Sequence, residues 1–287
     1  MTYKAPVIVG DEPEGLEQNG GTHCDKAGKV YWEKTWRGTT KLPLPINPRD
    51  TTWRNYVNRE LHKCFAGCVP SIVSRHGRIL EIGCAYSAWL PYFAREFHLE
   101  PWGLDYLDTG CAASREILRR ANLPVDHIVC GDLFTPPAGM LGIFDLVISF
   151  GLVEHFLDTA DCVRACSRFL KPHGVMITVI PNMHGATGLL QKLMSPSIFD
   201  KHVPLDLEQL VHSHRAAHLI ELHAAYLVPF NFGVVNPGTF ATPLIRTVIS
   251  KCGNGITALI GALHEAGLPL KPNRFTSPFI VCVFQNS

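Results

Sequence analysis

Carboxylates stand at the ends of apolar runs along the first half of this chain. The first run is Arg78-Ile79-Leu80-Glu81-Ile82-Gly83-Cys84-Ala85-Tyr86-Ser87, in which an acid is followed by a glycine and small residues. That order reads as a buried strand, a tight turn and a helix start. Such a turn lets a ligand lie against bare backbone at a helix N-terminus. Glu81 is poorly placed for a pyrophosphate and well placed for an ammonium group. A second run ends in Gly103-Leu104-Asp105, where an acid can accept two hydrogen bonds from ribose hydroxyls. Asp132 follows a third, in Gly131-Asp132-Leu133-Phe134. A fourth leads into Phe150-Gly151-Leu152-Val153-Glu154-His155-Phe156, with an acid beside an imidazole. An imidazole within hydrogen-bond reach of a substrate can take a proton, so His155 is the candidate base.

These residues need a scaffold that gathers strand ends. Strands are expected at Arg78–Ile82, Pro101–Leu104, Asp126–Cys130, Phe144–Ser149 and Gly174–Ile180. Helical patterns fall between them, near Ala88–Phe97, Thr109–Ala121 and Ala160–Leu170. Strands alternating with helices mean βαβ units and a parallel sheet, and right-handed crossovers place helices on both faces. Further on come a helix over Asp206–His218 and a strand over Ile220–Val228. A Gly/Pro-rich loop, 229–238, precedes a helical stretch over 242–266, interrupted at Gly253-Asn254-Gly255. A buried strand over 277–284 closes the pattern. The fold class is therefore α/β, a doubly wound, mostly parallel sheet of seven strands. In such sheets ligands bind outside the carboxyl ends of the strands.

Taken in order, the strand-end motifs resemble those of the class I methyltransferases that use S-adenosylmethionine (SAM). The resemblance covers roughly residues 78–182. The family's first motif is acid-x-Gly-x-Gly-x-Gly; here Gly83 remains, and Ala85 and Ser87 take the other two places. Phe144-Asp145-Leu146-Val147-Ile148-Ser149-Phe150 resembles the fourth motif. Leu170-Lys171-Pro172-His173-Gly174 is similar to the turn before the fifth strand. A nicotinamide-binding turn would want Gly-x-Gly-x-x-Gly, and this chain has one glycine of the three. The resemblance implies SAM as cofactor and S-adenosylhomocysteine as product. It implies cofactor contacts at Glu81, Gly83, Ala85, Asp105, Tyr106, Asp132, Leu133 and Phe150. It also implies a last strand inserted antiparallel, and substrate-recognition elements after the fifth strand.

Residues 181–204 and 229–276 are the expected recognition segments, within a methyltransferase domain spanning 49–287. Asn182, His184 and His202 are candidate pocket residues in the first. Residues 1–48, rich in Gly, Pro and charge, read as an arm that can serve as a lid. Trp32 and Trp36 share one helical face there and are candidate substrate contacts, since a lid must exclude water. No metal is expected. Some related enzymes pair Glu-His with a second acid three residues before the glutamate, and that position is Gly151. His214 and His218 share a face, but without a third ligand a surface helix is the better reading. Cys64/Cys68 and Cys162/Cys166, at helical spacing, read as small apolar residues on helix faces.

The chain has 287 residues, with Lys+Arg 26 against Asp+Glu 25 and a formal net charge of +1. This balance, with no basic block, argues against a nucleic-acid surface. At 46% hydrophobic and 18% charged residues it can bury a substantial core. Ten scattered cysteines form no secreted-type disulfide framework. No signal peptide and no membrane span are expected, which gives a cytoplasmic location. The expected reaction is methyl transfer to a small organic acceptor, with oxygen favoured and nitrogen second. An RNA or protein methyltransferase and a non-catalytic SAM-binding protein remain alternatives.

Overall fold

The computed structural model describes residues 23–37, 39, 41–73, 76–236, 238 and 242–287. The expected arm therefore lies outside the described residues over 1–22. Its described part carries α1 (Gly28–Arg37). Then follow α2 (Tyr56–Ile72), β1 (Arg78–Ile82), α3 (Trp89–Phe97), β2 (Glu100–Asp105), α4 (Asp108–Arg120), β3 (Ile128–Cys130) and β4 (Phe144–Phe150). The second half holds α5 (Thr159–Ser167), β5 (Leu170–Pro181), α6 (Ala186–Met194), α7 (Pro196–Phe199), α8 (Leu207–Ala216), β6 (Ile220–Leu227), α9 (Pro243–Glu265) and β7 (Phe279–Gln285).

The seven strands lie in the order β3-β2-β1-β4-β5-β7-β6. The pairs from β3 to β5 are parallel, and β7 runs antiparallel to both β5 and β6. Strict alternation sorts the side chains to two faces. On one face Leu80, Val147, Met176, Ile280, Cys282 and Phe284 join residues of α5 and α8. On the other Ile79, Leu146, Ile148, Ile177, Val281 and Val283 join Phe65 of α2 and Tyr92 and Phe93 of α3. Strands buried on both faces need near-continuous apolar runs, which β1, β4 and β7 have. Strand order reverses between β1 and β4, so the cleft opens beyond the carboxyl ends of those two strands.

Four elements depart from the sequence expectation. The 181–204 segment, for which the sequence marks no regular element, contains α6 and α7. The helix expected over 160–170 ends at Ser167, and β5 begins at Leu170. The expected break in the last helix is absent, since α9 runs unbroken through Gly253-Asn254-Gly255. A Cβ at Gly253 would fall 2.2 Å from the Phe232 ring, so this glycine lets the helix close against an aromatic rather than ending it. His214 is fully buried, not on a surface face. Its Nδ1 donates to the Leu210 carbonyl, its Nε2 accepts from the Thr178 hydroxyl at 2.9 Å, and its ring stacks on Phe284. Among the described residues no helix is long and apolar enough to cross a membrane.

Candidate active site

The turn after β1 resolves the missing glycines. Gly83 holds φ at +75°, a conformation that a side chain would strain. The methyl of Ala85 faces α4, where a Cβ at Gly110 would meet it at 2.6 Å. Gly110 thus makes the room that a glycine at 85 would not need. Ser87 also turns inward: its hydroxyl donates to the Glu81 carboxylate and accepts from the Leu90 amide at 3.0 Å. Both substituted positions direct their side chains away from the ligand side of the turn, so a cofactor can still approach the backbone.

Asp105 at the end of β2 is 6% exposed and holds the turn in place. One carboxylate oxygen accepts from the Ala85 amide at 2.9 Å, the other from Leu107 at 2.8 Å. A carboxylate has about four acceptor positions, which leaves two for the hydroxyls of a ligand. Burial lifts Asp105 to about 6, against the lowering effect of those two amide bonds. Burial likewise carries Glu81 to about 8, with Asp105 adding to the rise and Ser87 opposing it. A cationic ligand at this turn would restore the charged form of both acids.

The remaining expected cofactor residues line the same end of the sheet. Tyr106 donates to Asp25 at 3.3 Å. Asp132 is exposed and accepts from the Phe134 amide at 2.9 Å, while Leu133 beside it is buried. Phe150, closing β4, stacks on Trp89 at 4.8 Å.

The arm crosses this cleft. Asp25 forms an antiparallel bridge with Phe156, flanked by Lys26 N–H to the His155 carbonyl at 2.8 Å and Leu157 N–H to the Cys24 carbonyl at 3.1 Å. His23 stacks on Phe134 at 3.7 Å, and Trp36 on Tyr86 at 4.8 Å. Trp32 meets the His155 ring edge-on at 5.2 Å. The two tryptophans of one helical face therefore reach the two turns that follow β1 and β4.

Of the expected acceptor-side residues, the fold brings His155, His202 and Trp32 together, while Asn182 and His184 are engaged elsewhere. The two imidazole rings lie 4.6 Å apart between centroids. The His155 Nδ1 donates to the Lys201 carbonyl and the His202 Nδ1 to that of Ile198. Burial, with Lys201 and Lys26 nearby, holds His155 down at about 4; burial and then the His155 ring hold His202 at about 3. Both imidazoles are thus neutral near pH 7. Glu154 is 1% exposed, and neither carboxylate oxygen has a hydrogen-bond partner among the described residues. Burial raises it to about 8. By contrast, Asn182 spends both amide hydrogens on the carbonyls of Arg274 and Ser277, each at 2.9 Å. It pins the chain between β5 and β7 rather than offering donors to a ligand. His184 is exposed and bonds the Pro204 carbonyl at 2.8 Å.

Sequence reasoning missed Gly110, Asp25 and the partnership of His202 with His155. The last two join residues far apart in the chain, and no local spacing signals them.

Known proteins agree with this geometry. The family described as "Methyltransferase domain" matches residues 80–178. A ubiquinone biosynthesis O-methyltransferase of Rhodopseudomonas palustris is 27% identical over 206 residues, 65% of this chain and 75% of its own. Geranyl diphosphate C-methyltransferase of Streptomyces coelicolor, solved with S-adenosylhomocysteine, superposes with a TM-score of 0.53 at 12% identity, covering 88% of this chain and 95% of its own. Phosphoethanolamine N-methyltransferase 2 of Haemonchus contortus, solved with SAM, does so at 0.54 and 17%, covering 80% and 52%. The sheet order, the strand-end acids and these matches define a class I SAM-dependent methyltransferase. The chain is such an enzyme, and its cofactor is SAM.

Proposed function

We propose that this enzyme methylates a hydroxyl oxygen of a small organic acceptor, seated among the turn after β4, α1 and the 181–204 segment. The observation that carries this reading is the buried cluster of Glu154, His155 and His202 at the end of β4. Methyl transfer to a hydroxyl needs help with the proton, whereas a neutral amine needs less. SAM supplies an electrophilic methyl on a sulfonium: the new O–C bond forms as the C–S bond breaks, and the sulfur leaves as a neutral thioether. What the protein adds is alignment and a route for the proton.

In this reading Asp105 takes the ribose hydroxyls, Glu81 and the Gly83–Ala85 backbone hold the amino-acid end, and Tyr106, Leu133 and Phe150 pack about the cofactor, with Asp132 at the adenine end. His155 is the residue through which the acceptor loses its proton. Its Nδ1 is committed to the Lys201 carbonyl, so the neutral ring has its lone pair on Nε2. Trp32 and Trp36 wall the site from water, residues 23–37 acting as its lid. Asn182 serves as a structural pin of the recognition segment, and His184 stands at its rim.

The relative in Rhodopseudomonas is an O-methyltransferase by name, which supports oxygen. The test is product analysis with labelled SAM against paired acceptors that differ only in a phenolic hydroxyl or an aromatic amine. Label on the hydroxyl compounds supports the reading; label confined to amines ends it.

A further inference from the structure

We propose that Glu154, His155 and His202 bind a divalent cation of the zinc type, with one coordination position left open toward the acceptor. Their ligand atoms lie within 4.8 Å of one another, and all three residues are buried. The arrangement of the rings is specific. Each Nδ1 donates to a backbone carbonyl, His155 to Lys201 at 2.7 Å and His202 to Ile198 at 2.8 Å. In the neutral rings this puts the lone pair on each Nε2, which is how metal-binding histidines are oriented when a carbonyl holds their other nitrogen. Glu154 completes the set with a buried carboxylate that has no hydrogen-bond partner among the described residues, one oxygen lying 4.0 Å from His155 Nε2. A buried carboxylate without a partner is costly, and a cation between these atoms would relieve it.

The donor chemistry selects the ion. Two imidazoles and one carboxylate suit zinc and its transition-metal neighbours, whereas magnesium and calcium take oxygen ligands. Zinc–ligand bonds of roughly 2.0–2.2 Å place tetrahedral ligands about 3.5 Å apart. Closing the longest span from 4.8 Å thus asks for about an ångström of side-chain movement. The supporting shell is already built. The Val203 amide donates to the Glu154 carbonyl at 2.6 Å, and Lys26 Nζ donates to the His202 carbonyl at 2.8 Å. Residues 201–203 are thereby fixed against the turn that carries the other two ligands. Gly151 stands where related enzymes have a second acid. The fold instead supplies His202 from the segment after α7.

The site stands on this geometry alone; its catalytic use rests on the hydroxyl-acceptor reading. Three protein ligands with an open fourth position mark catalytic rather than structural zinc sites. A hydroxyl bound there loses its proton more readily, and His155 would then act on the proton through the cation rather than as a free base.

The test is a titration of the full chain, stripped with a chelator, with zinc alone and with cobalt(II). We expect one equivalent of zinc, and a visible cobalt spectrum of a four- or five-coordinate site. His202→Ala and Glu154→Gln should each weaken zinc binding at least tenfold and abolish that spectrum, with S-adenosylhomocysteine affinity within threefold of the parent as the check on folding. No stoichiometric zinc binding by the parent chain overturns the proposal, as does unchanged binding in both folded variants. Hydroxyl methylation by a chain that binds no zinc also overturns the site and leaves the acceptor reading standing. Stoichiometric zinc binding lost in the variants, in an enzyme that methylates only amines, supports the site and removes the acceptor reading.

Discussion

Replacing Asp105 by asparagine isolates one acid without changing its size. The carboxylate now accepts from two backbone amides, Ala85 at 2.9 Å and Leu107 at 2.8 Å, and keeps two acceptor positions for ribose. An amide has one oxygen and one NH2 group. Whichever way it turns, the NH2 faces a backbone N–H and one ribose hydroxyl loses its acceptor. A hydrogen bond to a charged group contributes about 1.5–3 kcal/mol. One lost ribose bond therefore weakens S-adenosylhomocysteine binding by roughly 10- to 150-fold, since about 1.4 kcal/mol is a factor of ten. The lost backbone bond falls on folding and should lower Tm in the same variant. Calorimetric titration of the parent and of the Asp105→Asn variant, with a thermal melt of each, reads both effects. An affinity within threefold of the parent, at a native circular dichroism spectrum, would refute the assignment of Asp105 to the ribose.

Three more outcomes follow from the same structure. His155→Ala should lower turnover by about 10²–10⁴ and leave S-adenosylhomocysteine affinity within threefold, because loss of proton-transfer help acts on the chemical step; steady-state rates beside the calorimetric titration check this. Gly253→Ala should lower Tm, since its Cβ would lie 2.2 Å from the Phe232 ring and overpacking costs about 1–3 kcal/mol. Stability without ligand should peak between about pH 5 and 6.5. His155, His202 and His214 are held at about 4, 3 and 4, so the unfolded chain binds the extra protons below 6.5 and they favour unfolding as pH falls. Glu81 and Glu154 are held at about 8, so the folded chain keeps their protons between 4.5 and 8 and loses that advantage as pH rises. The two effects oppose each other between 4.5 and 6.5 and act singly outside that window. Chemical denaturation across pH 3.5–8.5 would show it; a flat profile would mean that these groups are solvated.

The strand ends were legible because a period of two and an acid at the end of an apolar run are local signals. Glu81 and Asp105 stand out that way. What was not legible depends on contacts between distant residues. His202 reads as an ordinary loop histidine until α7 delivers it to His155. Gly253 and Gly255 look like helix breakers, and only Phe232 shows why one of them must be small. The same holds for Ala85, which looks like a damaged glycine motif until Gly110 is seen beneath it. His214 reads as a surface histidine because its partners, Thr178 and Phe284, come from β5 and β7. The placement of β7 itself came from family resemblance, since periodicity says nothing of strand direction.

The position of β7 has a consequence for how this molecule is made. It is the seventh strand in chain order, yet it lies between β5 and β6 and is the direct neighbour of both. While the chain is being synthesised, β5 has an open edge and β6 has no strand to pair with. Both remain unpaired strand edges, prone to wrong partners, until residues 279–285 emerge. Asn182 at the end of β5 bonds Ser277 just ahead of β7, so the 181–204 segment also waits for the same late residues. Completion of the sheet and anchoring of the 181–204 segment are therefore one event.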